Sequence, residues 1–205
     1  MTFLFTSETI DQIINIQCRS IELTELEINR MADHLDWNIV CEHQILTEFL
    51  LNKFADKLNW DWVCEKQTLS EKFMNEHTDE LIWSSISKFQ KLSEEFIRMY
   101  ADKLNWRLVC KYQKLSSKFI NECMCCIDDT AFDEIYHHQV LSIEFLRKYA
   151  DSLNWMYVSY WQDLSPEAII EFRHYLSPQD RVMNGIKKLP LIWKIRLHAR
   201  MAFLC

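Results

Sequence analysis

The stretch LSEEFIRMYADKLNWRLVCKYQK, residues 92–114, decides the fold, because the same 23-residue pattern returns on both sides of it. Leu followed by Ser or Thr opens a unit at Leu23, Leu46, Leu69, Leu92, Leu115, Leu141 and Leu164, a spacing of 23 four times, then 26, then 23. Fourteen residues after the opening Leu stand Trp37, Trp60, Trp83 and Trp106, then Phe132 and Trp155 once three extra residues are allowed before Phe132. Seven residues after that aromatic come Gln44, Gln67, Gln90, Gln113, Gln139 and Gln162; four before it come Asp33, Asp56, Asp79, Asp102, Asp128 and Asp151. A fixed period of this size marks a stacked array of like units.

One glycine, Gly185, in 205 residues leaves almost nothing suited to hairpin turns, so the units are helical. Leu92, Phe96, Ile97, Tyr100 and Leu104 fall on one stripe of an amphipathic first helix, with Ser93 as N-cap and Glu94 and Glu95 at the favourable end of its dipole. Trp106, Val109, Cys110 and Gln113 fall on one stripe of a second helix, capped by the residue before the aromatic: Asp36, Asn59, Asn105 and Asn154. Each helix is expected to run about 8–11 residues, below the ~12–15 at which an isolated helix is marginal, so each must be held by its neighbours. The expected fold is all-α: an α-solenoid of 23-residue two-helix repeats. Residues 1–22 read as an N-terminal capping half-repeat, with Ile14 at the aromatic position and Cys18 at the cysteine position; 23–178 read as the solenoid and 179–205 as a basic C-terminal cap.

The recurring residues read as structural. The aromatics share a stripe with Val109 and Cys110 and are expected in the core. Gln113 and its counterparts also lie on the buried stripe, where an amide must find partners, and backbone groups at the turn into the next first helix are the expected ones. The repeated Asp sits where the helix dipole disfavours it, and N–H groups at the start of the second helix are expected to compensate. Cys18, Cys41, Cys64 and Cys110 occupy a position that Ser87 and Ser159 fill elsewhere, which suits small core thiols in a reducing compartment.

The net charge of −7 hides an asymmetry, since residues 181–205 carry six cations and no acid. The acidic remainder is a poor nucleic-acid surface. No apolar run reaches the ~18 residues of a membrane span, and Met1–Phe5 lacks the basic start of a signal peptide. A single glycine excludes a Walker A loop, a G-x-G-x-x-G turn and a G-x-S-x-G elbow, and there is no H-E-x-x-H, so no catalytic residue, cofactor or enzyme activity is expected.

Two features remain. Cys123, Cys125 and Cys126, followed by Asp128, Asp129, His137 and His138, form the one cluster of zinc-type ligands, but C-x-C-C is no standard finger spacing, and metal binding is the weaker alternative. Positions two and six after the aromatic lie opposite the core stripe and hold Ile39, His43, Trp62, Lys66, Phe89, Leu108, Tyr112, His138, Tyr157 and Trp161. Exposed aromatics mark partner surfaces, so Trp62, Phe89, Leu108, Tyr112, Tyr157 and Trp161 are the expected partner-binding residues of a protein–protein interaction scaffold.

LSEEFIRMYADKLNW, followed by a hydrophobic pair and Gln, resembles the LSEEFI-type short helical repeats of proteins from large DNA viruses of amoebae, marseillevirus-like viruses above all. The likeness covers residues 23–178 and departs from the pattern at 123–132 and after 164. The resemblance implies a viral protein and an α-solenoid, acting in the host cytoplasm or as a structural virion component, with a host or viral protein as partner. It supplies no catalytic residues.

Overall fold

In a computed structural model that describes residues 7–179, the protein is all-helical, with fourteen α-helices and one short 3₁₀ turn and no strand among the described residues. The basic segment, and with it the expected cap at 179–205, lies outside the described residues apart from Gln179. The chain divides into two compact units, Met1–Asn105 and Trp106–Cys205. The first contains α1 (Ser7–Ser20), α2 (Glu25–Met31), α3 (Trp37–His43), α4 (Glu48–Lys53), α5 (Trp60–Lys66), α6 (Glu71–Glu76), α7 (Trp83–Phe89) and α8 (Glu94–Met99). The second contains α9 (Trp106–Tyr112), α10 (Ser117–Glu122), the 3₁₀ turn Met124–Cys126, α11 (Asp129–His138), α12 (Ile143–Lys148), α13 (Trp155–Trp161) and α14 (Pro166–Glu171). After α1, first and second helices alternate, and second helix packs beside second helix: α1, α3, α5 and α7 in one unit, α9, α11 and α13 in the other.

The helices are shorter than the sequence pattern suggests. First helices span six or seven residues and most second helices seven, so Tyr100 and Leu104 lie in the turn beyond α8 rather than on it. Helices this short do not persist alone, and most of them are capped at the N-terminal end. Thr24, Thr47, Ser70, Ser93, Ser116, Ser142 and Ser165 each accept the backbone N–H three residues on through their hydroxyl oxygen. Asp36, Asn59 and Asn154 cap second helices through a side-chain Oδ1 that accepts the backbone N–H two residues on.

Five of the seven first helices bury two consecutive apolar residues, such as Leu50 and Leu51, Phe73 and Met74, or Phe119 and Ile120, while α2 buries Ile28 and α14 Ala168; each second helix buries a pair in its middle, such as Val63 and Cys64. A side chain of this size contributes roughly 1.5–3 kcal/mol on burial. The repeated aromatics lie at the edge of this core. Trp37 and Trp155 are buried, while Trp60, Trp83, Trp106 and Phe132 are half-buried, which corrects the expectation of a fully internal stripe. Within the first unit they rest on aromatic rings of the following first helix and its end: Trp37 on Phe54 at 4.7 Å, Trp60 on His77 at 5.2 Å and Trp83 on Tyr100 at 4.9 Å.

The glutamines form the ladder expected of them, but they reach backwards. Gln67 Oε1 accepts the N–H of Leu46 at 2.8 Å, while Nε2 donates to the carbonyls of Cys41 at 3.1 Å and Gln44 at 2.8 Å. Those three groups lie at the end of the preceding second helix and in the turn that leads into the unit's own first helix, 21–26 residues earlier, not in the turn that follows. Gln44, Gln90, Gln139 and Gln162 repeat the arrangement. Both amide hydrogens and one oxygen lone pair are used, so a buried side chain that would otherwise cost free energy closes a whole unit.

A second ladder runs through the cysteine position, which the sequence suggests is mere filling. Ile82 donates its N–H to Cys64 Sγ at 3.4 Å, Asn105 to Ser87 Oγ at 3.0 Å and Asn154 to the Tyr136 hydroxyl oxygen at 2.9 Å. Each donor is the N-cap residue of the next second helix or stands just before it. Burial pushes the thiols of Cys41 and Cys64 up to about 11, so they stay protonated and act only as packing atoms and weak acceptors.

The repeated Asp is compensated differently from expectation. Asp33 pairs with Lys57 Nζ at 2.9 Å and Asp151 accepts the Tyr175 hydroxyl at 2.5 Å, each partner 24 residues on, rather than N–H groups of the second helix. The three extra residues are used as an added N-terminal turn on α11, which has ten residues, and Asp128 becomes its N-cap, accepting from Ala131 N at 2.8 Å. Asp128 therefore does not share the site of Asp33.

Gln67→Leu keeps the volume but strands three buried backbone groups, so it is expected to lower the urea-unfolding free energy by about 3 kcal/mol or more. Cys64→Ser, which installs the residue found at position 87, should stay within about 1 kcal/mol. A cost for Gln67→Leu no greater than that of Cys64→Ser would show that the ladder does not hold the units.

Candidate interaction face on the second helices

The expected partner-binding residues separate into two groups by depth. Six residues after the aromatic, at the last residue of α7, α9 and α13, Phe89, Tyr112 and Trp161 are 42%, 47% and 45% exposed. Two residues after it, Trp62, Leu108 and Tyr157 are half-buried and Ile39 is buried. In α13 the earlier position turns toward the preceding second helix, α11, which packs beside it. Tyr157 of α13 lies 5.7 Å from the ring of Tyr136 and 6.0 Å from that of His137, both on α11.

In the Trp106–Cys205 unit the face is aromatic. The Trp161 ring sits 4.3 Å from His137 and 4.8 Å from Tyr160, which is itself 57% exposed, and Met156 beside them is also exposed. Tyr160, Met156 and His137 were not among the residues expected there. Their positions, one and five after the aromatic, lie on the same outer arc once the flank toward the preceding second helix is known to be covered. In the Met1–Asn105 unit the aromatics are fewer and carry cations: Lys66 Nζ lies 5.5 Å from the Trp62 ring and Lys88 Nζ 4.4 Å from that of Phe89. Lys111 stands likewise over Tyr112 at 5.7 Å.

Sequence reasoning also missed a charged cluster between α9 and α11. Glu134 is buried, with Arg107 Nε at 3.0 Å, Lys111 Nζ at 3.7 Å and His138 Nε2 at 3.4 Å from its oxygens. Burial works against its charge, but Arg107, Lys111 and His138 outweigh it and hold the carboxyl below the usual carboxylate range. Glu134 occupies the same position as Trp62, Leu108 and Tyr157, so one carboxylate does by charge what an aromatic does elsewhere by contact: it ties a second helix to the one before.

The cysteine cluster does not assemble. Cys123 is buried at the end of α10, Cys125 and Cys126 are exposed on the 3₁₀ turn, and His137 and His138 lie at the far end of α11. Among the described residues no three His, Cys, Asp or Glu side chains converge to hold a metal ion, and no helix is long and apolar enough to cross a membrane.

No protein-family model, no curated protein and no solved structure matches the chain.

Because the Glu134 carboxyl is held low in the folded state, its contribution to stability is present above the ordinary carboxylate range and is lost as pH falls through its folded value. Urea titrations between about pH 7 and about pH 3 should show stability falling more steeply for the natural chain than for Glu134→Gln. Parallel curves would mean that the cluster does not hold the carboxyl down.

Proposed function

We propose that the chain is a non-enzymatic interaction scaffold whose second helices present exposed aromatic side chains, foremost those of the Trp106–Cys205 unit, to another protein. The observation that supports this reading is that Phe89, Tyr112 and Trp161, at one and the same repeat position, each leave close to half their surface in water. The ladders, caps and core pairs account for the recurring positions of the unit, and none of them requires an aromatic here; Lys66 and His43 occupy the same place in other copies. Trp and Tyr are the side chains that most often anchor protein interfaces, because they offer large rigid area at low entropic cost. Half-buried Leu108 and Tyr157 lie on the same helices as Tyr112 and Trp161, one turn earlier.

The test compares the natural chain with Tyr112→Ser/Trp161→Ser as bait in affinity capture with mass spectrometry. Both residues are exposed, so unfolding should shift by no more than about 1.5 kcal/mol, most of it from the lost contact with His137. A protein captured by the natural chain and by a control carrying Met99→Ser, exposed on a first helix, should be missing from the double variant. The same captured set from all three baits would remove these aromatics as the binding surface.

A further inference from the structure

Cys125 and Cys126 have no counterpart in the other repeats, so nothing in the unit's architecture calls for them. They are adjacent, both exposed, and their sulfurs lie 3.7 Å apart on the 3₁₀ turn between α10 and α11. They are poorly placed to form a disulfide with each other, since neighbouring Cα atoms are only about 3.8 Å apart and disulfides need about 4.4–6.8 Å. The pair therefore persists as a dithiol. Its sulfur separation is close to the edge of a tetrahedral thiolate site, about 3.8 Å for metal–sulfur bonds of about 2.3 Å.

We propose that Cys125 and Cys126 form a two-thiolate clamp for a thiophilic divalent cation of the zinc class, with the remaining coordination positions filled by water or by the same pair of a second copy. Binding replaces two S–H protons by two metal–sulfur bonds and releases both protons to solvent. Affinity accordingly rises with pH. The repeat-position thiols do not compete: Cys64 and Cys110 are buried, and burial pushes them up to about 11 and about 12. With no third ligand converging among the described residues, an ion here leaves part of its coordination sphere open to exchange.

The test is a cobalt(II) titration of the reduced full-length chain, followed by the thiolate-to-cobalt charge-transfer band and by sedimentation. The band should appear, should be lost in Cys125→Ser/Cys126→Ser and should be kept in Cys64→Ser, with far-ultraviolet circular dichroism unchanged in both variants. Saturation at one ion per chain with a monomer assigns the remaining positions to water; one ion per two chains with a dimer assigns them to a second copy. Absence of a band, or a band that survives in the double variant, overturns the proposal.

Discussion

The fold depends on one buried amide per unit. A helix of six or seven residues cannot supply its own stability, and a two-helix unit has too little surface to bury a core alone. What makes such units additive is a connection that specifies both distance and angle. A glutamine whose oxygen takes one N–H and whose nitrogen serves two carbonyls, all three at the helix end and turn some two dozen residues earlier, does this with the directionality of three hydrogen bonds. Apolar contact alone would allow the helices to slide. The second ladder, from the cysteine position to the N–H before the next second helix, fixes the opposite end of the same helix. Chemistry at that position is interchangeable between thiol, hydroxyl and phenol because only an acceptor of the right reach is needed.

Period, helix class, the caps of the first helices and the burial of the glutamines were legible in the sequence, because each follows from a pattern that repeats in phase. Lengths and partners were not. Tyr100 and Leu104 keep helical spacing with Phe96 although the chain has already left the helix, since a tight turn can carry side chains to the same side of the core. The direction of the glutamine ladder was hidden for a similar reason: in a periodic chain the turn before and the turn after have the same composition, and only the packing says which lies within reach. Asp128 shows the limit of phase arguments, for it occupies the right number in the count yet caps a helix lengthened by one turn.

The interaction face was half legible. An angle of 200° or more from the core stripe was enough to leave Phe89, Tyr112 and Trp161 half exposed among the described residues. It fell short for Trp62, Leu108 and Tyr157, which are half-buried; for Tyr157 the reason is the neighbouring α11, which an isolated helical wheel leaves out. A neighbour of the same kind explains Glu134, which reads in the sequence as a surface acid and is instead the centre of a four-residue charge cluster between adjacent helices.

The positions five and six after the aromatic fall outside the ladders, caps and core pairs, and they change character along the chain. They read Glu42 and His43, Glu65 and Lys66, Lys88 and Phe89, Lys111 and Tyr112, His137 and His138, and finally Tyr160 and Trp161. Acidic and basic pairs give way to a cation beside an aromatic, and these to adjoining rings. Drift at unconstrained positions would scatter these types without order, because a solvated helix surface is served equally well by any of them. An ordered passage from charge to ring concentrates desolvation energy in the later repeats while the earlier ones keep long-range charge.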